Sequence, residues 1–130
     1  GEVAALFARA GFIVITAFIS PFMNDRKKAL KAFKDNSYEI YLSCDLETCE
    51  KRDPKGLYKK ARIGEIKDFT GIDSPYEVPK SPNLEIDTQS SSIEKSEKAL
   101  YEFIIEKISI TWLEWFLSIC YIMLQFIIDD

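Results

Sequence analysis

Between Gly11 and Ser20 the chain carries Phe12 to Phe18, FIVITAF, a short unbroken apolar run rich in β-branched residues with helical sequence on both sides. An apolar run of this kind, set between helices, is the pattern of a buried strand in a parallel sheet. Ile19, Ser20 and Pro21 end it, because proline cannot continue a central strand. Tyr38 to Ser43 (YEIYLS) and Leu84 to Ile86 read as two further strands.

Helices are expected over 2–9, 24–33, 46–52, 55–63 and 93–108. The first presents Val3, Leu6, Phe7 and Ala10 as an apolar stripe and closes at Gly11. Asn24 or Asp25 caps the second, whose Lys and Arg residues are expected on its outer face. Asp45 and Ser92 cap two others, and Pro54 suits the first turn of the helix over 55–63, which Gly64 ends. Residues 68–80, with Gly71, Pro75 and Pro79 close together, read as a loop. The alternation of strand and helix predicts an α/β fold, a parallel sheet flanked by helices.

Residues 108–130 break the pattern. Almost every residue from Ile108 to Ile128 is apolar, Glu114 and Gln125 being the strongest exceptions. The stretch is near the roughly 20 residues that span a bilayer. It reads as a membrane-inserting helix, as a helix packed on the sheet, or as an appended non-native extension. The expected division is therefore 1–107 and an apolar tail, 108–130.

A length of 130 residues suits one domain. The net charge of −4 argues against a nucleic-acid binder. Yet Lys51 to Lys67 holds seven basic residues against Asp53 and Glu65, which suits a local anionic ligand. With no histidine, Cys/His zinc sites and histidine catalysis are excluded. Cys44, Cys49 and Cys120 are expected to be buried, reduced thiols of a cytoplasmic protein. The chain opens at Gly1 in mid-pattern without a secretory signal, and a preceding element is expected.

Three stretches could carry chemistry. Ser20 follows a parallel strand, where ligands of open α/β sheets gather; alone it also reads as a turn residue before proline. Lys55, Lys59 and Arg62, at i, i+4 and i+7, share one helix face and either bracket an anion or form a solvated basic face. Lys67 to Glu77, KDFTGIDSPYE, offers Phe69 and Tyr76 on a loop able to close over a planar base, or is simply a connection.

Taken together, ITAFISPF, DPKGLYKKARIGEIKDFTGIDSPYE and NLEIDT, in this order and spacing, closely resemble the adenylylsulfate kinases over about residues 1–105. The resemblance implies part of a P-loop nucleotide kinase fold. It also implies transfer of the γ-phosphate of ATP, with magnesium, to the 3′-hydroxyl of adenylylsulfate (APS), giving 3′-phosphoadenylylsulfate (PAPS) for sulfate assimilation. By that resemblance Ile19, Ser20 and Pro21 contact APS, and Ser20 is the position described in the family as a phosphoserine, although in-line transfer needs only positioning and charge stabilisation. Lys55 binds substrate, and Phe69 stacks on the adenine of APS. Asp68 is likewise placed on the substrate-binding side, where glycine is usual, a departure expected to weaken close backbone approach to the ligand. Lys59, Lys60 and Arg62 form a lid over the phosphates. Thr88 borders the ATP adenine, and Arg52 neighbours the ATP base or phosphates.

Gly-x-x-x-x-Gly-Lys-Ser/Thr is absent from the sequence. That loop cradles phosphates and supplies a hydroxyl to magnesium. The family carries it upstream with the metal-positioning residues, so no metal ligand is expected here and the chain by itself is expected to be inactive. The alternative is a non-catalytic remnant that binds nucleotide or a partner. A homodimer follows by family analogy, and membrane association only through 108–130.

Overall fold

A computed structural model describes residues 1–32, 37–109 and 121–126. Its elements are α1 (Glu2–Arg9), β1 (Val14–Phe18), α2 (Met23–Lys31), β2 (Ser37–Ser43), α3 (Leu46–Arg52), α4 (Leu57–Arg62), β3 (Leu84–Asp87), α5 (Ile93–Ser109) and β4 (Tyr121–Phe126). The four strands form one parallel sheet in the order β1-β4-β2-β3. The α/β expectation holds.

The faces of β2 show why helices flank the sheet on both sides. Tyr38, Ile40 and Leu42 alternate onto one face and meet Ala99, Leu100, Phe103 and Ile104 of α5. Ile40 is fully buried there, which is worth about 1.5–3 kcal/mol. Glu39 and Tyr41 alternate onto the other face, where they meet Arg26 of α2 and the ring of Tyr76. On the β1 side, α1 packs through Ala4 and Ala8 against Val14, Ala29 and Leu30.

Local chemistry sets the helix ends. The Asp45 carboxylate accepts the Thr48 N–H at 2.6 Å, as an N-cap should. Ser92 Oγ accepts the Lys95 N–H at 3.3 Å at the start of α5. Gly11, just past α1, takes φ +92°, which closes a helix without a Cβ clash.

Four expectations are corrected. The buried face of α1 is its alanine face; Val3, Leu6 and Phe7 are exposed, because only small side chains let the helix approach its neighbours closely. β1 lies at the sheet edge, so Ile15 and Phe18 are exposed rather than buried. α2 begins at Met23 without a cap from its own side chains; its first N–H donates to Glu77 Oε2, 2.6 Å away. α4 begins at Leu57, so Pro54 and Lys55 precede it.

The apolar tail differs most. Residues 121–126 are a strand, paired in parallel with β1 on one side and β2 on the other. An unbroken apolar run cannot be assigned to helix or strand by periodicity, and central parallel strands have that same composition. The rest of the expected helix, 110–120 and 127–130, and Cys120 with it, lies outside the described residues. Among the described residues no helix is long and apolar enough to cross a membrane.

Candidate functional site

All strands being parallel, the residues that follow β1, β2 and β3 (Ile19–Ser20, Cys44–Asp45 and Thr88–Gln89) leave the sheet at the same end, the usual place for ligands in open α/β sheets. A cleft of about 600 Å³ opens there, with Cys44, Leu46, Tyr58, Ile72, Tyr76 and Val78 among its walls.

Tyr58 and Tyr76 give the cleft an aromatic lining, and Phe69 packs beside it. Phe69 meets Tyr58 edge to face, centroids 5.1 Å apart, over buried Cys49 with Leu46 and Ile72. The loop that carries Phe69 is held by one carboxylate: Asp73 accepts the N–H of Asp68 at 2.9 Å and of Phe69 at 2.5 Å. The Phe69 carbonyl in turn accepts from Ile72, Asp73 and Ser74. Asp68 has φ +56°, a left-handed conformation that favours glycine.

The turn after β1 lies outside this lining but is joined to it through the 74–77 segment. Ser20 has φ +39° and is half-buried with Pro21, while Ile19 is exposed. This turn is tied to the segment before Val78. The Glu77 N–H donates to the Pro21 carbonyl at 2.8 Å. Arg26 donates to the carbonyls of Ser20 (3.0 Å), Pro21 (3.2 Å) and Glu77 (2.7 Å), and to Glu39 Oε1 (3.0 Å). Its guanidinium also lies 5.9 Å from the Tyr76 ring, which stacks on Tyr41. Burial pushes the Tyr76 hydroxyl up to about 12, against the opposing pull of Arg26, so the phenol stays neutral and able to donate. Its oxygen is buried without a hydrogen-bond partner among the described residues.

The basic residues divide. Lys55, Lys59 and Lys60 are exposed, but Lys55 is outside α4 and so does not share its helical register. Arg62 is engaged by Glu50 of α3, through both Nε (3.3 Å) and a terminal nitrogen, and that bond holds its proton more firmly. The expected shared face of Lys55, Lys59 and Arg62 therefore does not form: Lys55 precedes α4 and Arg62 is ion-paired with Glu50. α4 itself is held by Asp53, whose two oxygens accept the N–H groups of Tyr58 (3.2 Å) and Lys59 (3.1 Å).

Arg52 and Thr88 do come together. Arg52 donates to the Thr88 carbonyl at 2.7 Å and lies 3.9 Å from Cys44 Sγ. The Thr88 N–H and hydroxyl both donate to the Ser43 carbonyl, at 2.9 and 3.1 Å. Among the described residues no three carboxylate or thiol side chains gather as a metal site requires.

The sequence reading missed Arg26, Glu39, Asp73 and Glu77. Arg26 was expected on the outer face of α2 and is instead 2% exposed. A lone arginine in a basic helix reads as solvated; the available signal was Glu39, a charge in mid-strand that requires a partner when buried.

The family model for adenylylsulphate kinase matches residues 1–87. The adenylyl-sulfate kinase of Marinobacter nauticus is 54% identical over 108 residues, 82% of this chain and 54% of that one. The probable adenylyl-sulfate kinase of Bacillus subtilis is 54% identical over 110 residues, 84% of this chain and 56% of that one. Among solved structures, the APS kinase of Mycobacterium tuberculosis in complex with AMPPNP and APS is similar, with a TM-score of 0.61 and 43% identity, covering 71% of this chain and 52% of that one. The chain thus spans about half the length of the curated relatives it matches.

Proposed function

The chain belongs to the adenylylsulphate kinase family, and we propose that it forms the APS-facing wall and the lid of an enzyme that phosphorylates APS at its 3′-hydroxyl with ATP, giving PAPS. The observation that carries this reading is the cleft at the carboxyl end of the sheet, with Phe69 fixed beside it by Asp73 and Tyr58.

In this reading Phe69 stacks on the adenine of APS, a contact of the kind worth about 1–3 kcal/mol. Ile19, Ser20 and Pro21 bound the sugar and phosphosulfate side. Ser20 positions rather than carries phosphate, since in-line transfer needs orientation and charge stabilisation only. Lys55, Lys59 and Lys60 bring positive charge to the anionic groups, while Arg62, paired with Glu50, fixes α4 instead. The Arg52–Thr88 contact holds the loop after β3, which borders ATP. ATP is accompanied by magnesium in this chemistry; the described residues do not fit a magnesium site, and no step here depends on one. Nor does the sequence contain the glycine-rich loop that stabilises the transferred phosphate, so the chain alone does not catalyse the reaction. We read residues 1–107 as the kinase part and 108–130 as an appended segment that contributes β4. A cytoplasmic homodimer is the expected setting.

Calorimetric titration of APS into the 130-residue chain tests the reading. Binding is expected, weakened at least about fivefold by Phe69→Ala, with no PAPS formed when ATP and magnesium are added. Equal affinity for the wild type and Phe69→Ala would remove Phe69 from the site. PAPS formation by the chain alone would overturn the assignment of catalysis elsewhere. Retention of ATP affinity with no affinity for APS would favour a non-catalytic nucleotide-binding remnant.

A further inference from the structure

The Ile19–Pro21 turn and the 74–77 segment are distant in sequence, yet one side chain holds both. Arg26 sits in the first turns of α2 with 2% exposure. A guanidinium has five N–H donors in a fixed planar fork. Here Nε is committed to Glu39 on β2, one terminal nitrogen to the carbonyls of Ser20 and Pro21, and the other to the carbonyl of Glu77. The fork thus joins sheet, turn and loop.

Two further contacts close the ring. The Glu77 N–H donates to the same Pro21 carbonyl, and the Glu77 carboxylate accepts the Met23 N–H at 2.6 Å. A carboxylate at the start of a helix is electrostatically favoured. Ser20, at φ +39°, holds a conformation that L-residues avoid, and its carbonyl accepts from Arg26. Next to Glu77, Tyr76 lies between the guanidinium and Tyr41 and reaches the cleft wall.

We propose that Arg26 is a positioning residue that locks the Ile19–Pro21 turn and the 74–77 segment into one unit, and so fixes the Ser74–Tyr76 wall of the cleft. The consequence for APS rests on the function proposed above; the coupling itself does not. Lysine cannot replace arginine in this role, because a single ammonium lacks the fork that serves three carbonyls and a carboxylate at once.

The test is amide hydrogen exchange by NMR on the ¹⁵N-labelled 130-residue chain and its Arg26→Lys variant, with APS titration of both. Lysine keeps a charge beside Glu39 and loses the fork. Exchange at Glu77 and Met23 is expected to quicken at least tenfold in Arg26→Lys, with Ile40 and Ile86 unchanged, and APS affinity to fall about tenfold. Unchanged exchange at Glu77 and Met23, or an equal rise everywhere, overturns the coupling. A local rise with unaltered APS affinity overturns its role in fixing the cleft wall. If the wild type binds no APS, the proposed function fails, and the coupling is judged on exchange alone. If Arg26→Lys does not fold, Glu77→Ala serves instead: it removes the carboxylate clasp on Met23 but leaves the Arg26 contact to the Glu77 carbonyl. Protection of the backbone amide at position 77 should then persist, and its collapse would show that Arg26 is not the joint.

Discussion

Asp68 shows how a single position is set by backbone and not by side-chain chemistry. Its φ of +56° costs an ordinary L-residue about 1–2 kcal/mol, and aspartate somewhat less. Asp68→Ala is therefore expected to destabilise the chain by about 1 kcal/mol. Asp68→Gly should fall within about 0.5 kcal/mol of wild type, since relief of the strain is offset by the larger unfolded-state entropy of glycine. Chemical denaturation of the two variants checks this, and equal effects would mean that the left-handed backbone carries no strain at Asp68. At this scale the sequence was readable where a residue's role is local. Asp45 announces a cap by type and place. Arg26 does not announce itself, because its partners Glu39 and Glu77 are brought in by the fold.

Elements make a similar division. α3 and the start of α5 were legible from their caps, Asp45 and Ser92. α4 was placed two residues early because Asp53 caps it across Pro54, Lys55 and Gly56, a longer reach than the usual cap makes. Asp53→Ala is expected to cost about 1 kcal/mol and to raise exchange at the Tyr58 and Lys59 amides, loosening the helix that carries Lys59 and Lys60. Unaltered exchange at those amides would mean that packing of Tyr58 and Ala61 alone fixes α4. The α3 cap also predicts a pH dependence. Bonds from Thr48, backbone first, hold the Asp45 carboxyl below its ordinary value, so its folded pKa lies under its unfolded one. The stabilisation is then complete above the unfolded pKa, near 4, and is lost as pH falls through the folded value. Asp45→Asn should flatten the acid side of the Tm-versus-pH curve; a curve parallel to wild type would contradict the assignment.

The whole molecule depends on a strand that the sequence pattern left open between a membrane-inserting helix, a helix on the sheet and an appended extension. Among the described residues β4 alone pairs with both β1 and β2. A chain ending at Ser109 should therefore lose the join between the α1–β1–α2 side and the β2–β3–α5 side, and thermal unfolding followed by circular dichroism should lose its single cooperative transition. Unchanged cooperativity would mean that the helices alone join the two sides. The exposed Val3, Leu6, Phe7, Phe12, Ile15 and Phe18 add a second expectation at this scale. Apolar surface of this kind favours association, so sedimentation should show mass rising with concentration, and Leu6→Asp with Phe7→Ser should suppress the rise. The central claim, that this chain is the APS-facing part of a kinase, is tested most directly by mapping APS onto the ¹⁵N-labelled chain by NMR. The account predicts shift changes at Ser20, Tyr58, Phe69 and Thr70, at the carboxyl end of the sheet. Changes confined to other surfaces, or none at millimolar APS, would contradict it.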